Sequence, residues 1–521
     1  MICPKCNLRE MHTGAKTAAG KIRWTCRAST GDRAVCYQTT DPTAAYRGRN
    51  APKERDLQTV FPSALKRQTL VITWAQNATP IHQGFFGALQ AYCKHNDAQL
   101  MVIPGRYKNP TSQWEASQVN AQWWASELVP FLASTRLAIN KNLVMLADIH
   151  TQPTATTPLT GFEAITHGES GILGHPKLQM TVVPAPSHKT PKILTTTGAI
   201  TVENYSDTKA GKKGEFHHVY GAIIVELEGA YFHLRHINAR EDGAFVDLDK
   251  GYYPNGDVLL AEPYAGLVFG DTHVRFTNPT VDNATFGKGG LVEKLNPQTL
   301  VFHDLLDSYA VNPHHANKPF IAVAKQKAGY DNIQDEVMEA CKWLIKRAAS
   351  RQTRIIASNH NDFFYRWMDT HDWRTDPRNA EFYLETALHM VRSAHIEESG
   401  ASVIDPFQYW AKRYFEEDKH IQCVGRRESL VIGGIECSLH GDQGSNGSRG
   451  SRVNLSKIGV KTIIGHSHSP GITNGAYQTG TSTPLNLEYT GAVSSWLHSH
   501  VAINAFGKRV IFNMVNGKFW R

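Results

Sequence analysis

Long apolar runs are missing from this chain. Nowhere in its 521 residues do eighteen apolar residues follow one another, so nothing in it reads as a membrane span. No apolar stretch follows the first charges of the N-terminus, which argues against a secretory signal and leaves a cytosolic protein as the expectation. Cysteine is sparse, at eight residues, and no disulfide is needed to account for any of them. The glycines Gly161, Gly168, Gly171 and Gly174 do not fall into a phosphate-loop spacing. Net charge is absent from most of the molecule: beyond residue 70, forty-two Lys and Arg face forty-two Asp and Glu, whereas residues 1–70 carry thirteen against five. The whole formal charge of +8 therefore lies at the N-terminal end, as expected of a basic module for a polyanion; a solubilising arm is the alternative.

That basic segment also holds half of the cysteine. Cys3-Pro4-Lys5-Cys6 is followed by Cys26 and Cys36, and four thiolates can close a tetrahedral zinc site that replaces the core forty residues cannot supply. Nine residues separate the second pair, an irregular spacing that leaves His12 as a substitute ligand and free thiols as the alternative. The expectation is a zinc-ribbon-like module over 1–45 and a polar linker over 46–66. Cys93, Cys341, Cys423 and Cys437 stand singly in apolar or helical surroundings and read as core.

A chain this long needs more than one core. Residues 70–74 read as a buried strand, 82–96 as a helix with Phe85, Phe86, Leu89 and Tyr92 on one face, and 100–104 as a second strand. A strand, crossover helix and strand imply a parallel pair. A helix over 114–132 and a strand over 143–149 continue the pattern. An α/β accessory domain over 67–260, DNA-binding or oligomerising, is the expectation. Asp148 and His150 imitate a metal-ligating pair, but no partner clusters follow before residue 270, so their role reads as structural.

From residue 261 the polar residues become organised. Gly270-Asp271-Thr272-His273 follows the run Leu267-Val268-Phe269, and an aspartate and a histidine two apart on an extended segment point the same way. Four more clusters come after it: His303-Asp304-Leu305-Leu306-Asp307, Ser358-Asn359-His360-Asn361-Asp362, His440-Gly441-Asp442 and Gly465-His466-Ser467-His468, several just beyond short apolar runs. Oxygen and imidazole donors without thiolates suit two divalent ions better than a structural zinc. Two such ions about 4 Å apart can hold a phosphate and ionise a water at neutral pH.

These clusters, in this order, resemble the calcineurin-like metallophosphoesterase superfamily. The resemblance implies that Asp271, His273, Asp304 and His468 hold one metal, that Asn359, His440 and His466 hold the second, and that Asp304 bridges them. His360 then matches the non-ligand histidine that contacts the scissile phosphate and assists the leaving oxygen. His303 stands where the family has Gly, Ser358 replaces the Gly before Asn359, and Asn361 replaces an acidic residue, which is displaced to Asp362. The implied fold for 261–521 is a four-layer sandwich of two mixed β-sheets flanked by helices, α/β (α+β) in class, with a helical insertion at about 363–430.

The nearest branch is that of the SbcD-type DNA nucleases, and the N-terminal modules are similar to those of large DNA-processing enzymes of tailed phages, which would act in the host cytoplasm. The resemblance implies two Mn ions, a DNA substrate and a homo-oligomer. Aromatic and basic residues of the insertion, among them Phe363, Phe364, Tyr365, Trp367, Trp373, Tyr409, Trp410 and Arg413, could stack on bases or meet phosphates. The loop after His440 offers Arg449 or Arg452 as a phosphate clamp. The alternatives are a phosphatase or phosphodiesterase for a small molecule or a protein, and a DNA-binding scaffold with a vestigial site.

Overall fold

In the computed structural model of the chain, the run beginning at Leu70 lies in a strand, Arg67–Gln76, that pairs in parallel with Ala98–Gly105. The crossover between them is the helix Gln83–His95, whose start is capped by His82 Nδ1 accepting from the Phe85 N–H at 3.0 Å. Its inner face buries Phe85, Phe86, Leu89 and Tyr92, each contributing roughly 1.5–3 kcal/mol of transfer free energy. The structure describes residues 12–14, 16, 21–27, 35–39, 67–112, 123–186, 188–398, 400–487 and 490–521, and they form two units, Met1–Asp56 and Leu57–Arg521.

In the first unit the strands His12–Gly14, Arg23–Arg27 and Val35–Thr39 form an antiparallel sheet. Cys26 and Cys36 fall on its last two strands, while Cys3, Cys6 and the expected linker over 46–66 lie outside the described residues.

The second unit is a mixed α/β assembly built on three larger sheets. Gly221–Glu228 and Tyr231–Asn238 complete a four-stranded sheet with the first parallel pair. A six-stranded sheet runs Ile421–Val424, Gln352–Ile356, Thr299–Phe302, Gly266–Val268, Ser499–Ile503, Arg509–Asn513, with its first four strands parallel. One face of it packs against helices that include Ile333–Ala348, which buries Ile333, Val337, Ala340, Cys341 and Leu344 at helical spacing. Its other face contributes Val268, Val301, Ile356 and Val501 to a core shared with Met180, Ile193, Ile463 and Tyr477 of a ten-stranded sheet.

That ten-stranded sheet crosses the division expected at residue 260. Leu137–Asn140, Leu143–Met145, Ser170–Leu173, Met180–Val183 and Lys192–Thr196 lie in it beside Ile435–Glu436, Thr462–Ile464, Gly471–Thr473 and Ala476–Gln478, joined where Ile472 pairs with Met180. A buried ion cluster ties the parts further. Arg235 pairs with Asp247 at 2.5 Å and Glu226 at 2.9 Å, and Glu226 also accepts from the Arg521 N–H. Residues 67–260 and 261–521 thus share one body rather than forming separate domains.

Three local expectations need correction. Over 114–132 the described part is a short 3-10 helix, Ser126–Phe131, because Pro130 has no N–H to extend an α-helix. The strand expected to reach 149 stops at Met145. The segment at 363–430 is not an appendage. The helices Asn359–Thr370, Ala380–Ser393 and Pro406–Tyr414 bury Phe364, Trp367, Phe382 and Trp410 in the main core, and Ile421–Val424 returns to the six-stranded sheet. A parallel connection needs such a helical crossover. Among the described residues, no helix is long and apolar enough to cross a membrane.

Candidate metal centre

Three adjacent parallel strands end side by side and deliver three clusters to one edge. Asp271 lies beyond Gly266–Val268, Asp304 beyond Thr299–Phe302, and Asn359 at the start of the helix that follows Gln352–Ile356. The ten-stranded sheet brings the rest, with His440 beyond Ile435–Glu436 and His466 and His468 beyond Thr462–Ile464. The carboxyl edge of a parallel sheet is a common place for ligands, since the strands stop there and short loops expose their side chains.

The loops are locked together by backbone. His273 N–H donates to the Asp304 carbonyl at 2.6 Å, Thr272 to His303 at 3.1 Å, and Asp271 to Gly480 at 3.0 Å. Gly270 N–H donates to His500 Nδ1 at 2.9 Å. His273, Asp304, His466 and His468 all adopt left-handed φ, between 44° and 74°. Such strain at four non-glycine residues persists only where the surrounding structure over-determines it, and it gathers at functional sites. At Gly465 a Cβ would stand 2.2 Å from Asp271 Oδ1, so only glycine fits there.

The side chains converge on Asp304. Its Oδ2 lies 3.5 Å from His273 Nε2 and 3.3 Å from His440 Nε2. His468 Nε2 is 3.2 Å from Asp271 Oδ2 and 3.3 Å from His273 Nε2. Asn359 Oδ1 is 3.0 Å from His440 Nε2 and 3.2 Å from His466 Nδ1. The seven residues singled out by sequence are thus brought together. His273, Asp304 and His468 form one cluster of donor atoms and Asp271, Asp304 and His440 another, with Asp304 common to both.

The electrostatics suit a cation. Asp271 Oδ1 and Asp304 Oδ1 are buried without a hydrogen-bond donor, a costly arrangement unless something positive is shared between them. Burial alone would raise both carboxyls, but His468 holds Asp271 below its usual range and His440 with His360 holds Asp304 well below. Burial lowers His466 and His468. The donor set therefore fits divalent ions held by oxygen and imidazole.

No protein-family model matches the chain. Protein A1 of Escherichia phage T5 is 31% identical to it over 465 residues, which cover 86% of this chain and 82% of that protein. The chain belongs to the A1 family.

In this A1-family chain Ser358, Asn361 and His303 have structural roles. Ser358 caps the helix that begins at Asn359, its Oγ accepting from His360 N–H, while Asn361 reaches back to Ser358 N–H at 3.3 Å. His303 is fully buried with Nδ1 3.4 Å from His440 Nδ1, and burial pushes it down to about 4. A neutral His303 can accept the Nδ1–H of His440 and so turn His440 Nε2 toward Asp304.

Sequence reasoning left Asp307 unassigned. It is 2.7 Å from His273 Nδ1 and 3.4 Å from His360 Nδ1, and it belongs to a third donor cluster with those two histidines. The signal was present in the Asp304-x-x-Asp307 spacing. Arg426 was also missed: it spans Asp442 at 2.7 Å and Asp362 at 2.8 Å.

The proposed phosphate clamp is not assembled. Arg452 turns inward, donating to Thr473 Oγ1 at 3.0 Å and Gln478 Oε1 at 3.3 Å in the space left by Gly471, and burial lowers it to about 10. Arg449 is exposed, and neither arginine lines the cleft of about 790 Å³ that opens over Asp304, Asn359, His360, His466 and His468. Asp148 is exposed and pairs with Arg136 at 3.0 Å.

Proposed function

We propose that this A1-family chain is a two-metal phosphodiesterase of the calcineurin-like metallophosphoesterase type, acting as a DNA nuclease. The observation that carries the reading is Asp304, shared by two donor clusters with one carboxylate oxygen unpartnered, beside a half-buried histidine that is not needed as a ligand. Asp271, His273, Asp304 and His468 would hold one ion and Asn359, His440, His466 and Asp304 the other. Two bound divalent ions, Mn by preference, would polarise the phosphoryl group and acidify a water.

The chain's own residues supply the rest. His360 is fixed by its bond to Asp307 and presents its other nitrogen to the cleft, in position to protonate the leaving sugar oxygen. The layer order, two sheets sharing a core with helices outside one of them, is consistent with the sandwich of that superfamily. The basic N-terminal segment supports a polyanionic substrate, with Cys3, Cys6, Cys26 and Cys36 as a zinc site within it. A phage relative makes the host cytoplasm the proposed place of action.

The test is Mn-dependent cleavage of linear, circular and single-stranded DNA by the wild type and by His360→Ala and Asp304→Ala, with a small phosphodiester alongside. Loss of DNA cleavage in both variants is expected. Ester hydrolysis without DNA cleavage would move the substrate to small or protein-bound phosphates.

A further inference from the structure

We infer that Phe363 and Trp496 are base-stacking platforms on either side of the scissile phosphate, so that the cleft takes unstacked, single-stranded nucleotides; this rests on the nuclease reading above. Five rings lining the cleft meet one another in succession. The centroid of Phe363 is 4.9 Å from that of His360, His360 is 4.6 Å from His273, His273 is 5.3 Å from His468, and His468 is 4.1 Å from Trp496. The inner three are the imidazoles assigned to the phosphate and its ions. The outer two have no atom to ligate a metal or move a proton at phosphorus, yet both line the cleft and are half-buried.

The fold separates Phe363 from the other aromatics of its segment. Phe364, Trp367 and Trp410 are buried in the main core, and Tyr409 stacks on His389 under Arg413. None of these four lines the cleft. Phe276 and Tyr309 line it too, but their rings meet each other and Tyr330 rather than His360, His273 or His468. Trp496 arrives from a different part of the chain, beside the strand Ser499–Ile503.

The rings decide between a single strand and a duplex. Among the described residues lining the cleft there is one lysine, Lys318, and no arginine, while Asp304 and Asp307 are both present. A groove that tracks the backbone of a duplex or of a single strand draws affinity from Lys and Arg facing phosphates, so this cleft has little of that means for holding either. Stacking on an aromatic ring is open to any base, but only when the base has left its own stack. A wall with a ring at each end of the reacting centre fits stacking on unpaired bases.

The experiment uses the full chain with Mn and three DNAs of one sequence: a single strand, its duplex, and a single strand with abasic positions on both sides of the cleavage site. The wild type is expected to cleave the plain single strand best and to show a KM roughly tenfold higher on the abasic strand. Phe363→Leu and Trp496→Leu are each expected to raise KM on the plain strand roughly tenfold with a much smaller change in kcat, and to add nothing on the abasic strand. Phe363→Tyr and Trp496→Phe should restore KM. Phe216→Leu, at an exposed ring on the helix Lys209–His217, should leave it unchanged. Equal cleavage of duplex and single strand, or equal KM on plain and abasic strands, overturns the inference while leaving a nuclease in place. Hydrolysis of methyl p-nitrophenyl phosphate without cleavage of any DNA overturns the nuclease reading itself.

Discussion

His360 donates its Nδ1–H to the carbonyl oxygen of Asp307 across 2.5 Å. A carbonyl oxygen can only accept, so one ring proton is held at Nδ1 and Nε2 is the nitrogen that faces the cleft, carrying a second proton when the ring is an imidazolium. Ser308 Oγ donates to the His360 carbonyl at 2.7 Å and fixes the same turn. The proposed role rests on this orientation: the doubly protonated ring keeps its Nδ1–H on the carbonyl, gives its Nε2–H to the leaving oxygen, and is left as the neutral Nδ1–H form.

Replacing His360 with Gln should therefore lower kcat on DNA by about 10²–10⁴, because the sugar oxygen leaves poorly without a proton. On a p-nitrophenyl ester, whose leaving group is stable as an anion, the loss should be far smaller. Steady-state rates on the two substrates check this, and equal losses on both would assign His360 to binding instead.

Asp304→Asn should abolish cation binding at both positions, since Asp304 is the carboxylate common to the two donor clusters. In the wild type, Mn at a hundred times its Kd should stabilise the fold by roughly 2.7 kcal/mol, read as a rise in Tm that EDTA reverses. The variant should show no such rise, and titration calorimetry should detect no Mn uptake at the centre.

Asp307 acts on the centre through His273, which it meets at 2.7 Å. Asp307→Asn should weaken Mn binding by about 10–100-fold, the usual cost of losing a carboxylate that orients a ligating imidazole. Excess Mn should recover most of the activity. A variant that stays inactive at saturating Mn would place Asp307 in the reaction itself.

A pH effect on stability should come from His175, far in sequence from the metal-binding clusters. Its Nδ1 accepts from Lys177 N–H at 3.1 Å and its Nε2 lies 3.1 Å from the Gln152 carbonyl, so both nitrogens are satisfied only in the neutral ring. Burial lowers it to about 4. Between pH 4 and 6.5 the unfolded chain binds a proton there and the folded chain does not, so stability falls as pH falls through that window and is level above it. The contribution is about 1.4 kcal/mol per pH unit. Urea unfolding from pH 4.5 to 7.5 should give a shallower slope for His175→Asn, by close to one proton.

Arg235 is held fully buried between Glu226 and Asp247. Arg235→Met leaves two buried carboxylates facing each other without a cation, and should cost about 3–5 kcal/mol. The triple variant Arg235→Met, Glu226→Gln, Asp247→Asn should recover part of that loss. Urea midpoints of the two proteins make the comparison.

Much of the centre was legible before folding was considered. Asp271, His273, Asp304, His440, His466 and His468 stand in loops, and Asn359 and His360 at a helix start, after short apolar runs, and a strand's apolar run reports both its burial and where it ends. The helix at 83–95 was visible for the same reason, since its buried face recurs at helical spacing.

Other features belong to the tertiary structure alone. Nothing local tells Arg452 from Arg449, yet one is tied to Thr473 and Gln478 and the other is exposed. Nothing local sets Phe363 at the cleft and Phe364 in the core, or pairs Ile472 with Met180 across almost three hundred residues. The amino-acid sequence by itself determined which donor atoms are available and that they sit at strand ends. Which of them meet, and which neighbouring side chains turn inward, was decided by the packing of sheets distant in sequence, because periodicity records that a face is buried but not against what.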